Sequence, residues 1–482
     1  MFSMLFTIVF PFACGLLMPL LKKLNDRKIK SAILISLQTV ITLFGILTVF
    51  GDNISTKSFT FADNLTVGFT ADLVAKIFCA IVTVAWLLVT IYASVYMKHE
   101  KSEERFFLFS FLTEGAMLGA AFSNSLVSMY VFYELVTIFS MPLVLHSLSK
   151  ESVSAAKKYL YYSIAGAFMA LFGIFVIGAN ADTLNFVAGG MLESATPLVL
   201  AAVFVMCLGF GAKAGLFPLH GWLPTAHPVA PAPASALLSG IIAKAGVLAI
   251  IRTVFFTVGA DNISGTWVQT ALLILSLLTV LMGSMMAYRE KVFKKRLAYS
   301  TVSQISYVLC GIFLFTEAGV QGALWQIIFH AVVKVGLFLC AGAVIFLYGK
   351  TRVDELKGLG KKMPVTFVCF TILSLSLIGI PPTGGFYSKW YIATASLDVA
   401  GIGALSWIVP VILLVSALLT AGYLLDVSIK AFLKDEETKI DTIKEPKPMI
   451  AVLIVLTVIA VAGGIFAEQT HSIISAVASS LF

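Results

Sequence analysis

Charge is scarce in this sequence, and acid is scarcest: 25 aspartates and glutamates stand beside 33 lysines and arginines in 482 residues. With 12% charged and 59% hydrophobic residues, the chain lacks the polar shell that a soluble globule of this length requires. It also lacks cysteine pairs. The six cysteines, Cys14, Cys79, Cys207, Cys310, Cys340 and Cys369, are scattered through apolar stretches and none forms C-x-x-C. That spacing argues against an iron-sulfur or zinc site and for small-residue packing. Gly209, Gly211 and Gly215 mimic a dinucleotide loop without the strand that should precede it. No soluble domain or low-complexity stretch interrupts the chain, and its longest polar segment, 434–447, reads as a charged loop.

Long apolar runs take the place of what is missing. Fourteen stretches are long enough for a membrane helix: 2–21, 31–50, 73–97, 106–122, 125–147, 155–179, 197–217, 231–257, 267–288, 297–315, 319–348, 364–395, 404–429 and 448–467. The fold class expected is therefore an all-α polytopic membrane protein, since helices satisfy their own backbone in lipid. Between helices 2 and 3, the alternating Thr/Phe pattern of 51–72 suggests a hairpin on the outer side that braces a neighbouring subunit.

Basic residues alternate from side to side. The loops at 22–30, 98–105, 149–158, 289–296, 350–362 and 430–447 hold 26 of the 33, and the opposite side holds Lys57 alone. The positive-inside rule then puts both termini outside. Met1 opens directly on apolar residues, so the first segment is expected to be a retained helix. The net charge of +8 records this orientation and gives no reason to expect a nucleic-acid partner.

Six basic residues remain, all inside expected helices: Lys76, Lys213, Lys244, Arg252, Lys334 and Lys389. Charge at mid-membrane is costly and by default functional. Lys76 follows Asp72 by four residues near a helix end, which suggests a snorkelling lysine in a local ion pair. Arg252 has the same snorkelling alternative. Two spans are broken by proline and glycine, GFGAKAGLFPLHGWLP (209–224) and IGIPPTGGFYSKWYI (378–392), and each carries a lysine. They are the seventh and twelfth spans. A duplicated five-helix unit must be inverted in the membrane, and paired broken helices in inverted repeats point to an ion path.

The stretches GFGAKAGLFPLHGWLPTAHPVAPAPASALLSGIIAKAG (209–246), KKRLAYSTVSQISY (294–307), FHAVVKVGLFLCAG (329–342) and IGIPPTGGFYSKW (378–390) resemble the antiporter-like membrane subunit family. It comprises the proton-translocating subunits of complex I, of energy-converting membrane hydrogenases and of Mrp-type Na⁺/H⁺ antiporters. The resemblance spans about residues 100–430. It implies inverted repeats at helices 4–8 (98–257) and 9–13 (258–433), with helices 1–3 (1–97) before them and a cytoplasmic loop and helix 14 (434–482) after. Thr225 stands where many complex I members have aspartate, and the chain ends soon after helix 14, as in the shorter members.

Carried over position by position, the resemblance implies a proton path of Glu134, Lys213, Lys244, His330, Lys334 and Lys389. Glu134 would pair with Lys213, and His330 and Lys334 lie one turn apart on one helix. Glu114, His220, His227 and Arg252 are candidate auxiliary groups. Glu114 is equally suited to helix packing and the two histidines to shaping a turn. The function expected is proton translocation within a redox-driven complex, of the energy-converting hydrogenase, ferredoxin-linked or complex I-like kind, in a prokaryotic cell membrane. This chain would carry no catalytic residue or cofactor, and iron-sulfur, flavin or NiFe centres would belong to peripheral partner subunits. Other membrane subunits, lipid, H⁺ and in one branch Na⁺ complete the expected partners. The alternatives are a subunit of an Mrp-type antiporter without redox chemistry and a structural scaffold whose lysines pair internally.

Overall fold

A computed structural model describes the whole chain except residues 25, 63–64 and 434–442, so most of the polar loop at 434–447 lies outside the described residues. The first helices are α1 (Phe2–Leu17), α2 (Arg27–Phe50), α3 (Leu73–Tyr96), α4 (Glu103–Phe122), α5 (Leu126–Val144) and α6 (Lys150–Gly178). Strands β1 (Phe59–Ala62) and β2 (Leu65–Val67) pair antiparallel between α2 and α3, with Phe59 opposite Val67. Then follow α7 (Pro197–Ala214), the short α8 (Leu223–Val229), α9 (Ala232–Val258), α10 (Trp267–Arg289), α11 (Phe293–Phe313) and α12 (Glu317–Tyr348). The last are α13 (Pro364–Ile378), α14 (Gly384–Leu397), α15 (Leu405–Phe432), α16 (Lys447–Ile465) and α17 (Ala467–Ser479).

Twelve helices among the described residues are long and apolar enough to cross a membrane. The chain is a multi-pass membrane protein. Two of the fourteen expected spans differ in form. The span expected at 364–395 is split into α13 and α14, and the first turn of α11 carries the basic run Lys294, Lys295 and Arg296. The terminal helix α17 falls outside the expected spans, because its alternation of Ser, Thr and Gln with Ile and Val is too polar to register as one.

Helix starts are set by side-chain caps that take up the free N–H groups of a first turn. Asp26 accepts from the Lys28 N–H at 2.7 Å, Asp72 from Ala75 at 2.8 Å, and Ser125, Ser149 and Thr196 cap α5, α6 and α7. Between the caps, small residues let backbones approach. Gly166 on α6 and Gly209 on α7 face each other so closely that a methyl group on either would meet the other's carbonyl oxygen.

The two breaks share a local plan. Each upper half ends in a left-handed glycine, Gly215 (φ +83°) or Gly379 (φ +96°), three residues before Pro218 or Pro382. A left-handed residue here favours glycine. At the first break the Ala212 carbonyl accepts from the Trp222 indole N–H at 2.8 Å as well as from the Gly215 N–H, and at the second the Leu377 carbonyl accepts from Lys389 Nζ at 2.7 Å. Around these breaks the bundle closes on α9, whose apolar span is buried along its whole length. It is wound as π-helix at Leu238–Ile242 and Arg252–Val258, a local irregularity frequent at functional sites.

Replacing Gly209 with valine should cost about 1–3 kcal/mol of stability through overpacking. It is expected to lower the melting temperature of the purified protein, measured by the unfolding-dependent exposure of its buried cysteines.

Candidate functional site

The central contact joins α9 to α12. Lys244 follows the first π segment, is 1% exposed, and donates from Nζ to the Gly240 carbonyl. Its Nζ lies 2.9 Å from His330 Nδ1, while His330 Nε2 is buried without a partner in the protein. An imidazole so placed can take a proton at one nitrogen and release it at the other. One turn along α12, Lys334 is fully buried and turns to α11, where its Nζ donates to the Leu297 carbonyl at 2.9 Å and to the Ser300 hydroxyl.

From Ser300 a polar stripe runs along α11 at helical spacing through Gln304 and Tyr307. Gln304 Oε1 accepts from Gln326 Nε2 at 2.8 Å, and Gln326 Oε1 accepts from the Ser388 hydroxyl. Lys389, next along α14, holds its Nζ 5.4 Å from the centre of the Tyr307 ring. Ser300, Gln304, Gln326 and Ser388 thus link Lys334 to the neighbourhood of Lys389. Sequence reasoning missed them, because uncharged polar residues are unremarkable in membrane helices; the only signal was their spacing on one face.

Lys213, expected to pair with Glu134, takes its hydrogen-bond partners from other groups of α5. Its Nζ donates to the Tyr133 carbonyl at 2.8 Å and to the Thr137 hydroxyl at 2.7 Å, and lies 3.7 Å from the centre of the Tyr133 ring. Among the described residues no carboxylate oxygen lies within 4 Å of it. Glu134 is half-buried and its Oε1 has no partner. Tyr133 and Thr137, one turn apart, present the face of α5 that meets α7, and Glu134 leaves the helix about 100° round from Tyr133.

The local Asp72–Lys76 pair is absent. Asp72 instead takes the fully buried Arg252 through both oxygens, at 2.5 and 2.9 Å, although 180 residues separate them. Lys76 turns to the Gly51 carbonyl (2.6 Å) and Asn53 Oδ1 (2.8 Å). A guanidinium fork matches both oxygens of a carboxylate, whereas an ammonium needs only point acceptors. Arg252 is thereby clamped, with the Phe256 ring 4.5 Å away. Glu114 lies apart from the lysines, against Gln38 of α2.

His227 is fully buried with both ring nitrogens unpartnered, stacked 4.7 Å from Phe338. His220 is half-buried beside Phe217, and burial together with Lys158 lowers its pKa. Three further basic groups are buried: Lys294 (7% exposed) and Arg296 (5%), both from the expected loop at 289–296, and His146 (3%), at the end of the expected span 125–147. Lys294 donates to the Ala230 carbonyl and lines a cavity of about 190 Å³ with Glu100, Ser147 and Thr351. Arg296 binds Asp426 at 2.8 Å. Among the described residues, His, Cys, Asp and Glu nowhere gather in a group of three that could hold a metal ion.

A sequence profile described as the transmembrane region of NADH:quinone oxidoreductase/Mrp antiporters matches residues 123–420, more than half of the chain. The chain belongs to this antiporter-like subunit family. A second profile, the N-terminus of complex I chain 5, matches residues 59–107. The antiporter-like chain is 33% identical over 359 residues to NADH-quinone oxidoreductase subunit N of Desulforudis audaxviator, covering 72% of this chain and 69% of that one. It is 30% identical to a Na⁺/H⁺ antiporter subunit of Alkalihalophilus pseudofirmus, covering 75% of this chain and 72% of that one. In fold it matches a chain of the Mrp complex from Dietzia sp., with a TM-score of 0.87 over 99% of this chain and 97% of that one at 22% identity.

Two outcomes follow from this geometry. Asp72→Asn strands a buried guanidinium and should destabilise the protein by about 3–5 kcal/mol, read as a lower melting temperature that Arg252→Leu in the same chain partly restores. His146, in the loop after α5, has its pKa lowered to about 4 by burial and by Arg105. The unfolded chain therefore takes up this proton first, near the ordinary value of 6.5. His146 should contribute stability in full above pH 6.5 and lose it as pH falls toward 4. A pH series of melting temperatures should be flatter across that window in His146→Gln.

Proposed function

We propose that this chain is the proton-translocating subunit of a multisubunit, redox-driven membrane complex of the energy-converting hydrogenase, ferredoxin-linked or complex I-like kind. In this reading it sits in a prokaryotic cell membrane with fourteen helices and both termini outside, and α4–α9 and α10–α15 form the two inverted repeats. The observation that carries the proposal is the 2.9 Å contact between Lys244 and His330, which joins one group from each repeat in the buried centre.

Protons enter from the cytoplasmic side near Lys244. They pass through His330 to Lys334, follow water along the Ser300, Gln304 and Ser388 stripe, and leave outward at Lys389. Glu134 and Lys213 respond to the neighbouring antiporter-like subunit and set the proton affinity of Lys244. Moving one charge against 100 mV costs about 2.3 kcal/mol. Changing the distance between a carboxylate and a buried ammonium alters the ammonium's energy on the same scale, since one pKa unit is about 1.36 kcal/mol. His227 and His220 flank the entry, and the electron-transfer centres sit in partner subunits.

The 30% identity to a Na⁺/H⁺ antiporter subunit supports a second reading, the same path working in an Mrp-type complex without redox chemistry. Vesicles holding the intact complex separate the two. Proton uptake that requires an electron donor supports the redox reading, and Na⁺ exchange driven by an imposed pH gradient alone supports the second. In either case Lys244→Ala and Lys389→Ala should abolish translocation while assembly persists, and wild-type stoichiometry in both variants would show the path to be wrong. Glu134→Ala should assemble and translocate poorly; full transport there would favour a scaffold.

A further inference from the structure

We propose that Glu114 is a proton-binding site separate from the lysine row, a neutral carboxylic acid closed into a two-point pair with the side-chain amide of Gln38. Both residues are 0% exposed, Glu114 on α4 and Gln38 on α2. Gln38 Nε2 donates to Glu114 Oε1 at 2.7 Å. The other half of each group, Glu114 Oε2 and Gln38 Oε1, is buried and has no partner.

Both leftover atoms are acceptors, so a carboxylate at Glu114 leaves two buried oxygens unsatisfied at once. A single proton on Oε2 satisfies both by donating to Gln38 Oε1. Turning the amide over exchanges its atoms and leaves the same deficit. A metal ion fits poorly, since a hard cation such as Ca²⁺ needs about six to eight oxygens and two are free.

The groups around the pair give an ionised carboxyl no support. A charge at Glu114 would act on two buried thiols, Cys14 of α1 and Cys79 of α3, neither of which is a cation. The cations of the adjoining helices are engaged elsewhere. Lys30 of α2 holds Glu104 at one end of α4, Arg105 of α4 holds the His146 carbonyl, Lys76 of α3 holds Gly51 and Asn53, and on α9 Arg252 holds Asp72 while Lys244 holds Gly240 and His330. Ionising a buried carboxyl without a cation costs several kcal/mol, so Glu114 keeps its proton through turnover and joins α2 to α4.

The test uses the purified complex and does not depend on the lysine path. Infrared difference spectra of wild type against E114Q should show a protonated-carboxyl carbonyl band that the variant lacks, and the swapped double variant Q38E/E114Q should restore it. E114Q can re-form the pair as two amides, so its melting temperature should stay at the wild-type value and its rate of proton translocation within twofold of wild type. Q38L removes the acceptor and should shift the band upward in frequency. Absence of a carboxylic-acid band that depends on Glu114 would overturn the proposal by showing the group ionised. An E114Q complex that assembles and melts normally yet no longer translocates protons would overturn it by showing that the proton leaves.

Discussion

The lysines inside this bundle are held by neutral acceptors, chiefly backbone carbonyls, whereas its two buried arginines each also hold a carboxylate. Lys213, Lys244, Lys334 and Lys389 each donate to a main-chain oxygen, of Tyr133, Gly240, Leu297 and Leu377. Arg252 and Arg296 are instead fixed to Asp72 and Asp426. A carbonyl dipole stabilises an ammonium without carrying a charge of its own, so the lysine can lose its proton and leave no uncompensated carboxylate behind. An arginine, always charged, has no such freedom and needs a permanent partner. The two kinds of cation therefore differ in chemical freedom: a lysine held by neutral acceptors can lose its proton, whereas an arginine stays charged and ties one helix to another.

Such carbonyls must be available, and regular helices hide them in their own ladders. The π segment before Lys244 and the break after α13 provide them, at Gly240 and Leu377. Non-helical backbone at membrane depth is tolerated only where protein or water satisfies it. Here lysine and tryptophan side chains do so. The interruptions are thus part of the site.

Much of the site was legible in the residues. A charge in an apolar run is conspicuous because lipid penalises it, so Lys213, Lys244, Lys334, Lys389 and Glu134 could be picked out one by one. His330 was distinguished by Lys334 one turn away. The stripe of Ser300, Gln304, Gln326 and Ser388 was not legible, because its meaning lies in contacts among three helices. Lys294 and Arg296 were hidden inside a basic cluster that resembles an ordinary loop. Local spacing paired Asp72 with Lys76, and a partner 180 residues away proved stronger because an arginine fork binds both carboxylate oxygens.

By itself the sequence determined the membrane setting, the helical class, the two breaks and the family, since each follows from local composition: apolar length, glycine and proline, and contiguous motifs. Tertiary structure alone decided which groups meet. It put Lys244 against His330, gave Lys213 to Tyr133 and Thr137, turned Arg252 to Asp72, and enclosed Glu114 with Gln38. Such pairings depend on the direction in which each side chain leaves its helix and on which acceptor its neighbours present, and neither is encoded within a single apolar run.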